Sequence, residues 1–90
     1  LPGDTSAIYL RALELEVAAG DDGPALARAA VAYAQAAERG HAAAMNNLGL
    51  LFHRGRGVAH DDAEARAWFE RAIAAGYEGA RVNLGLMCLY

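Results

Sequence analysis

The sequence predicts an all-α fold made of repeated helix hairpins, and two observations support this prediction. The segment Asn47-Leu48-Gly49-Leu50 recurs thirty-six residues later as Asn83-Leu84-Gly85-Leu86, and a fixed period of this length is typical of helical repeat proteins. Hydrophobic residues make up 56% of the chain, and alanine, which has the highest helix propensity, supplies a large part of them. Proline is rare, and the polar–apolar alternation typical of strands is hard to find. The same separation relates Tyr33 and Phe69, Ala36 and Ala72, Gly40 and Gly76, and Ala44 and Ala80.

Size and charge limit the classes of protein to which the chain can belong. Its 90 residues suffice for one small domain. The net charge is −3, and the eight basic residues, all arginine, form no basic stripe, which argues against a nucleic-acid partner. The sequence contains no apolar run long enough to span a membrane and no recognisable signal peptide. The single cysteine, Cys88, excludes an internal disulfide and does not decide the compartment.

The first helix is predicted to run to about Ala19, with Asp4 or Thr5 as its N-terminal cap, after a frayed start at residues 1–3. Part of its apolar spacing also fits a strand, but its alanine, leucine and glutamate favour a helix. Its apolar side chains are Ile8, Leu10, Leu13, Leu15 and Val17, and those expected to point to water are Arg11, Glu14 and Glu16.

The second helix is predicted from about Pro24 to Arg39, because proline suits the first position of a helix. Gly40 is expected to end it in a left-handed conformation. The connection to the next helix is short, so the two should pack antiparallel. The buried face is predicted to contain Leu26, Ala29, Ala30, Tyr33, Ala36 and Ala37.

The third helix is predicted from about Ala42 to Arg54, with Met45, Leu48, Gly49 and Phe52 on one face. A glycine inside a helix costs about 1 kcal/mol relative to alanine. A recurring internal glycine therefore indicates that a neighbouring helix comes close at this position.

The fourth helix is predicted from about Asp62 to Ala75, after a glycine loop from which Val58 turns back into the core. Asp61 and Glu64 have the spacing of a capping box, and Gly76 repeats the role of Gly40. The buried face is predicted to contain Ala65, Trp68, Phe69, Ala72 and Ile73.

A fifth helix is predicted to start near Glu78, with Ala80, Leu84, Met87 and Cys88 on one side. A terminal repeat should be polar on its outer side. Leu86, Leu89 and Tyr90 are not polar, so this end is expected to meet another copy, a partner or further residues of the chain.

At this point the residues resemble the Sel-one-like repeats, which are relatives of the tetratricopeptide repeats. The resemblance runs through one full helix–loop–helix unit, in which Ile73 stands where the family prefers alanine. The matching residues are Ala44, Leu48, Gly49, Phe52, Gly55, Gly57, Val58, Asp61, Ala65, Trp68, Phe69, Ala72 and Gly76. Residues 28–40 resemble the second half of a preceding repeat, and residues 79–90 resemble the first half of a following one.

The resemblance implies one domain over residues 1–90, a right-handed α–α superhelix (solenoid) of about two and a half helix hairpins. Its parts are a degenerate first helix and loop or N-terminal cap (1–23), the second half of the first repeat (24–40), a full repeat (41–76) and the first helix of a following repeat (77–90). In such solenoids the first helices of successive hairpins line a concave face that binds proteins or peptides.

Candidate partner-binding residues lie on the third and fifth helices, on the side expected to face away from the buried stripe: Asn46, Asn47, Leu50, His53, Arg54 and Asn83. Asparagine is unfavourable inside a helix because its amide competes for backbone hydrogen bonds. Asn47 and Asn83, at equivalent repeat positions, would hold the main chain of an extended peptide. The alternative is that they are family-typical residues that bond the next repeat.

Other candidate sites are weaker. Trp68 and Phe69, at helical spacing, are predicted to be core residues and not an exposed hot spot. His53, His60 and Asp61 surround the glycine loop, but their spacing matches no familiar zinc pattern, so no metal is predicted. The loop Gly55-Arg56-Gly57 lacks the lysine of a phosphate loop. Neither Cys88 nor Ser6, the only serine, has the partners of a nucleophile, so no catalytic residue or cofactor is predicted.

The resulting prediction is a non-enzymatic protein-interaction module, an adaptor or scaffold that binds a protein or peptide on its concave face. The resemblance leaves open a β-lactam-binding or hydrolysing protein, although those relatives carry paired cysteines in each repeat. A bacterial toxin-immunity or envelope-regulatory role and self-association through the C-terminal helix also stay open. The lysine-free, arginine-rich composition suits a bacterium with a GC-rich genome, and either a periplasmic or secreted or a cytoplasmic location is compatible with it.

Overall fold

A computed structural model describes residues 4–88, apart from the side chain of Cys88, and within that range it contains helices and no strands. The predictions for residues 1–3, for the Cys88 side chain and for Leu89 and Tyr90 lie outside the described part. The helices are α1 (Thr5–Ala19), α2 (Gly23–Glu38), α3 (Ala42–Arg54), α4 (Asp62–Ala74) and α5 (Ala80–Cys88). The pairs α1–α2 and α3–α4 form hairpins, α3 packs on α2, and α5 packs on α4. The predicted all-α solenoid is confirmed.

The helices begin where a side chain caps them. Asp4, Asp22, His41 and Asp61 each accept a hydrogen bond from a backbone N–H two or three residues later, at 3.0–3.2 Å. The capping roles of Asp4 and Asp61 were predicted, whereas α2 begins one residue earlier than Pro24 because Asp22 caps it. Such a cap contributes about 1 kcal/mol to the stability of its helix.

The core consists mainly of alanine, with two large side chains at equivalent repeat positions. Tyr33 on α2 and Phe69 on α4 are both 0% exposed, and Trp68 is buried beside Phe69, so the predicted core role of this pair is confirmed. The alanines buried around these rings are Ala12, Ala29, Ala30, Ala32, Ala36, Ala37, Ala44, Ala65, Ala72 and Ala80. Small residues therefore allow the helices to approach closely, and aromatic rings fill the space that remains.

Gly49 shows why the repeat needs a glycine inside a helix. A β-carbon placed on Gly49 would lie 2.6 Å from Cε1 of Phe69, well inside the ~3.5–4.0 Å separation of carbon atoms in contact. The predicted close approach at this position is confirmed, and the group that comes close is an aromatic ring of α4. At the equivalent Gly85, a β-carbon would meet none of the described residues within 4 Å.

The glycine loop holds the second hairpin against the first. A β-carbon on Gly57 would lie 2.6 Å from the carbonyl carbon and oxygen of Leu26 on α2. The guanidinium of Arg56 donates hydrogen bonds to the carboxylate of Asp21 and to the carbonyl oxygen of Gly20, both at 3.0 Å. The loop of one repeat thus contacts both α2 and the turn that precedes it.

The outward side of α1 differs from the prediction. Leu10 is 57% and Val17 82% exposed, whereas Ala12 is buried and Ile8 and Leu15 are half-buried. Successive residues of a helix are rotated by about 100°, so the buried positions 8, 12 and 15 share a face that excludes positions 10 and 17. The strand-like spacing of the apolar residues in this segment was therefore misleading.

The last described helix, α5, is covered on one side only. Ala80 is buried against α4, and Leu84 and Met87 are half-buried against the core. Val82 and Leu86 are exposed. Among the described residues, no helix combines the length and apolar character needed to cross a membrane.

Candidate functional site

A row of polar side chains joins α1, α3 and α5. The helices α1 and α3 are the first helices of the two hairpins, and α5 follows the second hairpin. Asn83 on α5 donates from Nδ2 to Oδ1 of Asn46 at 2.7 Å. Asn46 donates in turn to Oδ1 of Asn47 in a long contact of 3.5 Å. Asn47 donates to the hydroxyl of Tyr9 on α1 at 3.3 Å. We call these four residues the polar row.

The polar row corrects the predicted position of Asn46. This residue is 5% exposed, so it lies within the buried stripe and not on an open face. A buried amide left without a partner would cost about 1–3 kcal/mol, and here Asn83 and Asn47 satisfy it. The bond from Asn83 to Asn46 corresponds to the alternative in which the asparagines bond the neighbouring repeat.

A further hydrogen bond between side chains joins α2 to α1. The hydroxyl of Tyr33 on α2 donates to Oε1 of Glu16 on α1 at 2.5 Å, so Glu16 does not point to water as predicted. Burial raises the pKa of Tyr33 above its usual range, and the hydrogen bond to Glu16 adds to this effect. The ring of Tyr9 lies 6.0 Å from that of Tyr33 and stacks on His41 at 4.4 Å, so these contacts join α1 to both α2 and the start of α3.

The remaining predicted binding residues continue along α3 from the polar row. Leu50 is half-buried against the core, His53 is half-buried, and Arg54 is exposed. Asn47, Leu50 and Arg54 follow an i, i+3, i+7 spacing, which places them on one side of the helix. The structure therefore brings the predicted residues into one stripe, with Asn46 beneath it and Asn83 alongside it on α5.

A groove that the sequence did not reveal lies on the other side of α3. It has a volume of about 340 Å³ and is lined almost entirely by apolar side chains, with Glu64 as its charged residue. Its largest apolar lining residues are Leu48, Phe52 and Trp68, and Val31 also lines it. Its residues come from α2, the glycine loop and both helices of the second hairpin. The repeat pattern in the sequence does not indicate that these residues line one groove.

Two histidines and one aspartate meet where the glycine loop connects α3 to α4. Nδ1 of His53 lies 2.8 Å from Oδ1 of Asp62, and Nε2 of His60 lies 3.2 Å from the same oxygen. The hydrogen bond with His53 lowers the pKa of Asp62 below its usual value. Asp61, which the sequence placed with these histidines, instead caps α4.

The fold and the polar row define a class, that of helical repeat proteins whose hairpins stack with a thirty-six-residue period. Within this class, residues 42–77 match the Sel1 repeat family model, which confirms the resemblance drawn from the sequence. The matched segment comprises α3, the glycine loop and α4.

A solved structure has a similar fold over almost the whole length of this chain. The chain is similar to a Sel1 repeat protein from Oxalobacter formigenes, with a TM-score of 0.78 and 27% sequence identity over 96% of the chain. The match spans 35% of the length of that protein. A comparison with curated proteins found no match. Helical repeat modules of this kind generally mediate protein–protein interaction.

Proposed function

We propose that this chain is a non-enzymatic interaction module that holds an extended segment of a partner protein along α1, α3 and α5. The observation that carries the proposal is the stripe of Asn47, Leu50 and Arg54, which shares Asn47 with the polar row. It combines amide, apolar and cationic groups on one side of a rigid helix. Interfaces typically combine buried apolar contacts with a small number of polar groups that fix orientation.

Each residue of the stripe has a distinct role in this proposal. The amide of Asn47 bonds main-chain groups of the partner, Leu50 contacts an apolar side chain, and Arg54 pairs with a carboxylate. His53 lies beside Arg54 and provides a further polar contact. Asn83 offers the same amide on the next helix, so a partner segment that runs across the helices meets equivalent groups at successive repeats.

Asn46 supports the site from below in this proposal. Its side chain oxygen accepts the bond from Asn83, and its own amide faces Asn47. It therefore orients both asparagines that contact the partner. A loss of binding in an Asn46 variant would accordingly come with a loss of stability, whereas an Arg54 variant would lose binding alone.

A matched pair of arginine substitutions tests the proposal. The domain, immobilised as bait, is exposed to a lysate of its source organism, and the partner retained is then titrated against purified variants. Arg54→Ala and Asn47→Ala should weaken binding, because each removes a group from the stripe. Arg28→Ala removes an exposed arginine from α2 and should leave the affinity unchanged. Equal affinities for Arg54→Ala and Arg28→Ala, with both variants folded, would rule out this face.

Self-association through α5 is the alternative that a specific observation favours, since Val82 and Leu86 are exposed on that helix. Sedimentation velocity across a range of concentrations distinguishes it from a monomeric binder. A Leu86→Gln variant should shift any dimer toward monomer. Turnover of nitrocefin by the pure protein would contradict the non-enzymatic proposal and favour the β-lactam alternative.

A further inference from the structure

We propose that His53, His60 and Asp62 form a binding site for a divalent transition-metal ion of the Zn²⁺ type. The three residues lie around the loop that connects α3 to α4, outside the stripe formed by Asn47, Leu50 and Arg54. Each offers one ligand atom, and these atoms all lie within 4.8 Å of one another. His53 also borders the proposed partner-binding face, but the metal site needs no bound partner, because the three side chains meet within this chain.

Two of the three distances between the ligand atoms are close to those of a tetrahedral zinc site. Bonds of about 2.0–2.1 Å from zinc to nitrogen or oxygen place neighbouring ligands about 3.3 Å apart in a tetrahedron. The imidazole nitrogens of His53 and His60 lie 2.8 and 3.2 Å from Oδ1 of Asp62. All the ligand atoms lie within 4.8 Å of one another, so an ion fits among the three groups after a small rearrangement of these partly exposed side chains.

The backbone around the three residues holds them in place. His53 lies in the last turn of α3, and Asp62 is the first residue of α4. The backbone N–H of Asp61 donates to the carbonyl oxygen of Phe52 at 3.0 Å, which fixes the start of α4 against the end of α3. A β-carbon on Gly55 would lie 3.2 Å from Cβ of His60, so the loop holds His60 close to the end of α3. Ligands held on rigid elements bind with less loss of freedom.

The donor set decides which ions the site prefers. Two imidazoles and one carboxylate suit zinc, nickel, copper and iron, whereas magnesium and calcium prefer oxygen ligands throughout. Three protein ligands leave a fourth position open in a tetrahedral site. All three side chains are at least partly exposed, so water or a group from a partner protein can occupy that position.

Isothermal titration of Zn²⁺ into the metal-free chain, in a non-chelating buffer, tests the proposal. The expected result is one ion per chain, with no comparable binding of Mg²⁺. His53→Gln, His60→Gln and Asp62→Asn should each weaken the affinity by more than about tenfold, since loss of an outer partner of a ligand already costs ~10–100-fold. Glu70→Gln, which alters an exposed carboxylate elsewhere on α4, and Cys88→Ser should retain the wild-type affinity.

Two results would overturn the inference. One is an absence of stoichiometric Zn²⁺ binding by the wild-type chain. The other is binding that His60→Gln and Asp62→Asn leave unchanged, since the ion would then lie elsewhere. Circular dichroism of each variant confirms that its helices are intact, so that a loss of affinity reports the ligand and not the fold.

Discussion

Substitution of the two equivalent glycines by alanine should stabilise the fold at Gly85 and should not stabilise it at Gly49. Gly49 and Gly85 occupy the same position in successive repeats, and both lie inside helices. They differ in their surroundings, since a β-carbon would be 2.6 Å from the ring of Phe69 at Gly49 and would meet nothing within 4 Å at Gly85. The pair therefore separates the backbone effect of glycine from the packing effect.

The magnitudes follow from these distances. Replacing an interior helical glycine by alanine contributes about 1 kcal/mol of helix stability, which Gly85→Ala should show in full. At Gly49 the ring of Phe69 must move by about 1 Å to restore a normal contact, and it is 0% exposed, so the core must move with it. Overpacking of this kind costs about 1–3 kcal/mol. Gly49→Ala should therefore be neutral to destabilising by about 2 kcal/mol.

Urea denaturation followed by circular dichroism measures both changes. The two variants should differ by about 1–3 kcal/mol in the free energy of unfolding, and their Tm values should differ by at least about 4 °C for a domain of this size. Gly49→Ala should be less destabilising in a Phe69→Leu background than in the wild type, because the smaller leucine side chain vacates the contact. The comparison is between the double variant and Phe69→Leu alone. A Gly49→Ala variant as stabilised as Gly85→Ala would refute the explanation.

Three further substitutions test other contacts. Burial raises the pKa of Tyr33, so above pH ~10 the folded protein keeps the phenol proton while the unfolded chain loses it. The free energy of unfolding should therefore fall above pH ~10 by up to about 1.4 kcal/mol per pH unit. Tyr33→Phe should remove this fall when urea denaturation is repeated at alkaline pH. Asn83→Ala should cost about 1–3 kcal/mol by chemical denaturation, since it leaves the buried oxygen of Asn46 unpaired; an unchanged midpoint would contradict this. Gly57→Ala should cost more than about 2 kcal/mol by calorimetry, because φ is +76° and the Leu26 backbone is 2.6 Å away; a loss below ~1 kcal/mol would show that the loop can move.

The sequence predicted those parts of the fold in which a position in the repeat accepts only a large buried ring or only a glycine. Tyr33 and Phe69 stand at the same repeat position, and both are fully buried. The recurrence of Gly49 indicated a close contact, and the structure identifies the ring that makes it. These features could be predicted because a periodic helix has few positions at which a large ring or an absent side chain fits.

Other features depend on the directions of individual side chains, which the repeat period does not predict. The bond between Asn46 and Asn83 joins residues 37 apart, one more than the repeat period, so it links positions that are not equivalent and that internal repetition does not pair. Asp61 and Asp62 are neighbours, yet one caps α4 and the other faces the histidines, because a step of one residue rotates a side chain by about 100°. In α1, there are more apolar residues than positions facing α2, so Leu10 and Val17 stay exposed.

Site-specific photo-crosslinking is the most direct test of the proposed binding face on α1, α3 and α5. A photoreactive amino acid is introduced at Arg54 on α3 in one variant and at Glu70, on the outer side of α4, in another. Partner protein should be captured from the Arg54 position and not from the Glu70 position. Capture from Glu70 alone, or equally from both positions, would contradict the account.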